Sequence, residues 1–185
     1  MIEQILKETD SKMQKTLGAL THELSTIRTG RASSALVEHV KVDYHGVPTP
    51  INQMSSISIP DAKMILIQPW DQSIIHSIEK AILKSDLGLN PTIDNNVIRI
   101  TIPPLTEERR KDLIKAVHKR LEETRVSLRN VRRDTLENLR KSEKNKEISQ
   151  DQFTKASEQL QKLIDSFVDK VNKVGQNKEA EIMET

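Results

Sequence analysis

Between Leu105 and Lys146, apolar residues or threonine recur at alternating steps of four and three: Val117, Leu121, Thr124, Leu128, Val131, Thr135 and Leu139. That 3.5-residue period belongs to a helix packed along its length against partner helices. Pro103-Pro104 precede it, Thr106 is placed as its N-cap, and Glu107 and Glu108 suit the positive end of the helix dipole. At 1.5 Å per residue such a helix is about 60 Å long. A rod with a single apolar stripe is not stable alone in water, so the rest of the chain must supply its cover.

Two further segments carry a matching stripe. Residues 2–28 place Leu6, Met13, Leu17, Leu20, Leu24 and Ile27 at the same spacing, with Asp10 where an apolar residue is due. A tight turn at 145–148 is followed by Ser149 and Gln152, a capping box. It opens a helix with Phe153, Ala156, Leu160, Leu163, Phe167, Val171 and Val174 inward. Three stripes of this kind are buried most simply in a three-helix bundle.

The intervening residues read differently. Gly30 stops the first helix, and then Val40, Val42 and Tyr44 alternate with His39, Lys41 and Asp43, the period of a half-buried strand. His45-Gly46 makes a turn, and Pro48 and Pro50 confine the next stretch to a sheet edge. Ile57 and Ile59 pair with Met64–Ile67 as a hairpin, a helix runs from about Ser73 to Ser85 and closes near Gly88, and Val97–Ile102 forms a last strand. The expected fold is therefore α+β. Residues 1–30 plus 105–185 form a discontinuous three-helix bundle domain, and residues 31–104 form a small inserted β/α/β domain. Two chain crossings, at Gly30 and at Pro103-Pro104, join them as a hinge.

Charge marks where this molecule acts. The net +2 hides a split, since 105–146 alone carries 14 Lys+Arg against 8 Asp+Glu, a formal +6, whereas 147–185 sums to −3. Local basicity suits docking to one anionic partner better than indiscriminate polyanion binding. Eight of the eleven arginines lie in the long helix. At spacings of three and four residues, most have an acidic neighbour: Asp112 for Arg109, Glu107 for Arg110, Glu123 for Arg120, Glu122 for Arg125, Glu137 for Arg133, and Glu137 and Glu143 for Arg140. Arg129 and Arg132 have none. Such a pair, one turn apart beside a packing seam, is poised for phosphate or another external anion, unless a neighbouring helix supplies an acid.

Other chemistries find little support. There is no cysteine, which excludes disulfides and thiolate metal sites. The five histidines show no ligand spacing, and neither a glycine-rich phosphate loop nor a G-x-S-x-G elbow occurs. Neither catalysis, a metal nor a cofactor is expected. No apolar run approaches ~20 residues and the first residues do not form a secretory signal, so a cytoplasmic protein without membrane contact is expected. With four aromatic residues, the core must be aliphatic, and base stacking on an aromatic platform is not expected.

Four stretches together carry a family likeness: Ile27-Arg28-Thr29-Gly30-Arg31-Ala32-Ser33; Ser85-Asp86-Leu87-Gly88-Leu89-Asn90-Pro91; Pro103 through Lys111; and Arg129-Asn130-Val131-Arg132-Arg133-Asp134. In these, and in length and order of elements, the chain closely resembles the bacterial ribosome recycling factor family. The resemblance implies an L-shaped monomer, a three-helix bundle plus a β/α/β domain on a flexible elbow. It implies binding between the ribosomal subunits after termination, with the bundle on large-subunit ribosomal RNA. With elongation factor G and GTP, such a factor dissociates the ribosome for another round of initiation. The basic residues essential to the family match Arg110, Arg129 and Arg132, and Arg28, Arg31 and Arg133 are further candidates for RNA contact. A helical adaptor recruiting a protein coiled coil, or a generic RNA-binding protein, is the alternative reading.

Overall fold

A computed structural model describes residues 1–184, and it divides the chain into two compact units. One comprises Met1–Leu24 with Lys111–Ala180; the other comprises Ser25–Arg110 with the residues from Glu181 onward. The fold is α+β, as the two periodicities predict.

The first unit is built from all but the ends of α1 (Ile2–Ser25), α3 (Glu107–Lys144) and α4 (Gln150–Met183), whose Ser25, Glu107–Arg110 and Glu181–Met183 belong to the second. Both expected helix starts are found. The Arg109 N–H donates to Thr106 Oγ1 at 3.1 Å. At α4 the capping box closes reciprocally, with Ser149 N–H on Gln152 Oε1 at 2.8 Å and Gln152 N–H on Ser149 Oγ at 3.1 Å. Lys146 (φ 59°) turns the chain between α3 and α4. The seam of α3 is buried at Val117, Leu121, Thr124, Leu128, Thr135 and Leu139, while Val131 is only partly covered.

The interruption expected at Asp10 resolves one residue earlier. Thr9, 3% exposed, takes the inward position and its hydroxyl meets that of Thr135 on α3 at 2.8 Å. Two seams thus meet at a threonine pair: the Thr9 hydroxyl donates to Ile5 O at 2.8 Å, which leaves its oxygen to accept from Thr135. On α4 the inward positions shift to Ile164 beside Leu163 and to Gly175 beside Val174. A Cβ built on Gly175 would overlap Leu121 Cδ1, with Cδ2 at 3.1 Å and Cγ at 3.3 Å. The missing side chain is what lets α4 approach α3 there.

The second unit holds a two-stranded sheet of β1 (Lys41–Tyr44) and β2 (Val47–Pro50). A four-stranded antiparallel sheet has the order β3 (Ser55–Asp61), β4 (Met64–Pro69), β6 (Val97–Thr101), β5 (Pro91–Asp94). Helix α2 (Ile75–Lys84) follows β4 through a single 3-10 turn. The core is dominated by isoleucine: Ile65 and Ile67 of β4 face Ile100 and Ile98 of β6, and Ile78 and Ile82 of α2 join the same cluster. The register of β3 on β4 shifts between Ser58 and Asp61, around Pro60, which has no N–H to offer the ladder. Ile59 is consequently 41% exposed rather than inward.

Strand β5 is an element that the hydrophobic pattern did not indicate. It pairs with β6 through a two-residue turn in which Asn95 (φ 46°) and Asn96 (φ 67°) are both left-handed. Asparagine tolerates that region, and the Asn-Asn pair is the signal that could have found the hairpin.

Candidate nucleic-acid interface

Along α3 the arginines divide by what holds them. Arg120 is fastened on two sides: its Nε and Nη2 bind Glu23 of α1, the latter at 2.8 Å, and its Nη1 lies 3.2 Å from Glu123. The hydrogen bond from Arg120 holds the Glu23 carboxyl below its ordinary value, and that same bond raises Arg120. Arg125 donates to Asn172 of α4 at 2.7 and 3.1 Å and pairs with Glu122 at 3.3 Å. These two arginines stitch helices together.

Further along, the restraint loosens. Arg129 is not without a counter-ion, contrary to the sequence expectation: its Nη2 lies 3.3 Å from Glu122 Oε1. Seven residues return a helix to within about 20° of the same face, some 10 Å along the axis, a gap that two long side chains can bridge. Pairing at three and four residues does not sample that spacing. The pair is exposed on both sides, 60% and 55%, so it is screened by solvent and readily exchanged. Arg133 leans on Asp134 at 3.8 Å, not on Glu137, and is exposed. Arg132 is half-buried and makes no ion pair among the described residues.

Other expected pairs are also absent. Glu137 lies 3.9 Å from Lys141, and neither Arg140 nor Arg109 makes an ion pair among the described residues. Lack of a counter-ion therefore does not by itself single out Arg132. What distinguishes it is company: Arg129, Arg132 and Arg133 fall within about 6 Å of helix axis, facing a single weakly held carboxylate each at most.

The remaining site residues lie in the second unit. Arg110, in the first turn of α3, is not paired with Glu107, and its Nε is buried with no hydrogen-bond partner. Arg28 turns inward, its Nη1 reaching the carbonyls of Leu87 and Gly88 at 3.5 Å. Arg31 pairs with Glu184 at 3.0 Å, both half-exposed. Helix α1 ends at Ser25, so Gly30 is not its C′ residue as the sequence suggested; Gly30 (φ 80°) is left-handed five residues further on, and a Cβ there would lie 3.5 Å from Leu105 Cγ. Pro103 and Pro104 are exposed. Within the second unit the β3–β4 turn ties down the chain on either side of the small domain: the Ala32 N–H donates to Ala62 O at 2.6 Å, and the Ile102 N–H donates to Lys63 O at 2.7 Å. Among the described residues no group of acidic or histidine side chains could hold a metal, and no helix is long and apolar enough to cross a membrane.

Residues 20–183 match the profile of the family described as Ribosome recycling factor. The chain belongs to the ribosome recycling factor family. A ribosome-recycling factor of Dehalococcoides mccartyi is 57% identical over 182 residues, covering 98% of each chain. That of Bacillus subtilis is 51% identical over the full length of both. A solution structure of the ribosome recycling factor superposes with a TM-score of 0.80 at 47% identity, covering 100% of this chain and 98% of that one. A second solved chain has a TM-score of 0.70 and 44% identity over the full length of both. Its description places the T. thermophilus ribosome recycling factor and E. coli elongation factor G on the E. coli post-termination complex.

Proposed function

We propose that this chain binds the ribosome after termination and, together with elongation factor G and its GTP hydrolysis, dissociates it for another round of initiation. The observation that carries this reading is the full-length relative described on a post-termination complex with elongation factor G. The α3 face bearing Arg129, Arg132 and Arg133 is the surface that lies on large-subunit ribosomal RNA, where guanidinium forks can grip phosphates bidentately. Arg110 joins this set on the family resemblance, being partly exposed and in no ion pair among the described residues. Arg28 and Arg31 are weaker contributors because each already has a partner within the chain. The protein acts in the cytoplasm as a monomer, by binding and displacement rather than by catalysis, and uses no cofactor. The crossings at Gly30 and at Pro103-Pro104 are its hinge, joining the helical domain to the small β/α/β domain.

The test is a subunit-splitting assay on post-termination ribosomes with elongation factor G and GTP. Wild-type protein should support splitting, and Arg132→Ala should reduce it while elongation factor G alone still hydrolyses GTP. Splitting unaffected by Arg129→Ala and Arg132→Ala together would remove the basic face from the mechanism. Absence of splitting with wild-type protein would overturn the functional reading itself.

A further inference from the structure

Among the described residues, strands β1 and β2 form a sheet of two strands, so each has one edge with no strand paired to it. The two edges are not equivalent. The two-residue turn His45-Gly46 makes Tyr44 and Val47 the hydrogen-bonded pair, and such pairs alternate along an antiparallel ladder. Val42 with Thr49 is then bonded, whereas Asp43 with Pro48 and Lys41 with Pro50 are not. Main-chain groups of the unbonded pairs face outward. On β2 these belong to prolines, which have no N–H and close that edge to an added strand. On β1 they belong to Lys41 and Asp43, and neither makes a main-chain hydrogen bond outside this ladder among the described residues.

That edge borders a groove of about 540 Å³ between β1 and α2. Of the six basic residues in 31–104, Lys41, Lys80 and Lys84 line it, and none of the three is in an ion pair among the described residues. Asp43 is the one acid in the lining, and its Oδ1 accepts the Gly46 N–H at 2.8 Å. Val40 and Ala81 add apolar surface. We propose that this groove receives an extended acidic segment of a partner protein, which adds to β1 as a third strand. The main-chain groups of Lys41 and Asp43 supply the ladder, and carboxylates of the segment meet Lys80 and Lys84. A nucleic-acid backbone could satisfy the lysines but has no N–H and C=O repeat to pair with the strand edge. The edge decides for polypeptide. This surface is separate from the arginines of α3 and does not depend on their role.

The experiment uses the full chain and an end-blocked hexapeptide of alternating glutamate and valine, followed by amide NMR and hydrogen exchange. The Lys41 and Asp43 amides should exchange freely in the unbound protein. On titration they should shift saturably and exchange several-fold more slowly, with a Kd on the order of 1 mM or tighter. The double variant Lys80→Gln, Lys84→Gln should weaken binding about five- to tenfold and flatten its salt dependence, because the rim charges are gone. The same peptide N-methylated at the two positions facing β1 should not bind, and an oligouridylate of equal charge should not displace the unmodified peptide. Protected Lys41 and Asp43 amides in the free protein would overturn the proposal. So would equal binding of the N-methylated peptide, displacement by the RNA, or no saturable shift at millimolar peptide.

Discussion

A single carboxylate, Glu122, serves both Arg125 and Arg129, and the contrast between those two arginines is the clearest residue-scale statement about this surface. Arg125 has a second anchor on Asn172 and is largely covered; Arg129 has only the exposed carboxylate. An external phosphate could replace Glu122 at Arg129 for little cost, whereas at Arg125 it would have to compete with a bond between helices. The Arg120–Glu23 link lies wholly on the structural side of that divide. Its carboxyl is held low by the arginine hydrogen bond, so its contribution to stability is present above the ordinary glutamate range and lost as pH falls through the lowered value. Glu23→Gln should therefore differ from wild type in denaturant midpoint at pH 7, and the difference should shrink as the medium is acidified below about pH 4. A difference independent of pH would mean that the ion pair is not its cause.

At the scale of elements, the helical periods were legible because seven-residue repetition is insensitive to single substitutions. Val117, Leu121, Leu128 and Leu139 had no other place to go. What the period could not show was how the helices answer one another across the seams. Thr9 reads in sequence as one more polar residue, and only its partner Thr135, 126 residues away, makes it a buried fixture. Thr9→Val should destabilise the protein by about 1–2 kcal/mol, because it leaves the buried Thr135 hydroxyl without the partner it has now. Thr9→Val with Thr135→Val should recover most of that loss, and denaturant melts of the three variants would show whether it does. Gly175 was likewise invisible to the apolar period, which favours Val174. Here Gly175→Ala gains close to 1 kcal/mol of helix propensity but drives a methyl into the buried head of Leu121. Overpacking of that kind costs about 1–3 kcal/mol, so a net loss is expected, with relief when Leu121→Ala is combined with it.

At the scale of the whole molecule, the compact units divide at Ser25 and Arg110, further out in the chain than Gly30 and Pro103 where the period switches, and the second includes Glu181–Glu184. Those last residues continue a helical stripe in sequence, and nothing local reveals that Glu184 would meet Arg31. A fragment spanning 25–110 should melt cooperatively by circular dichroism, since the isoleucine cluster lies wholly within it. A fragment of residues 1–30 should stay largely unfolded, because a single amphipathic helix has nothing to bury its stripe against. A gradual, non-cooperative melt of 25–110 would contradict the independence of the small unit. The basic character of α3 was fully legible as charge; which arginines are held and which are available was not, because Glu23, Asn172 and Glu122 reach them over distances that local spacing does not sample.

The central claim is that the Arg129–Arg133 face of α3 grips ribosomal phosphates. The most direct measurement is binding of wild type, Arg129→Ala and Arg132→Ala to isolated large ribosomal subunits across a salt series, beside a denaturant melt of each variant. Each alanine should leave stability within about 0.5 kcal/mol of wild type, as at ordinary surface positions. Each should weaken binding and lower the slope of log K against log salt by roughly one unit or slightly less. Lysine at either position should restore only part of the affinity, since a point charge cannot reproduce the bidentate fork. Wild-type affinity and salt slope in Arg132→Ala, or a loss of binding matched by loss of folding, would contradict the account.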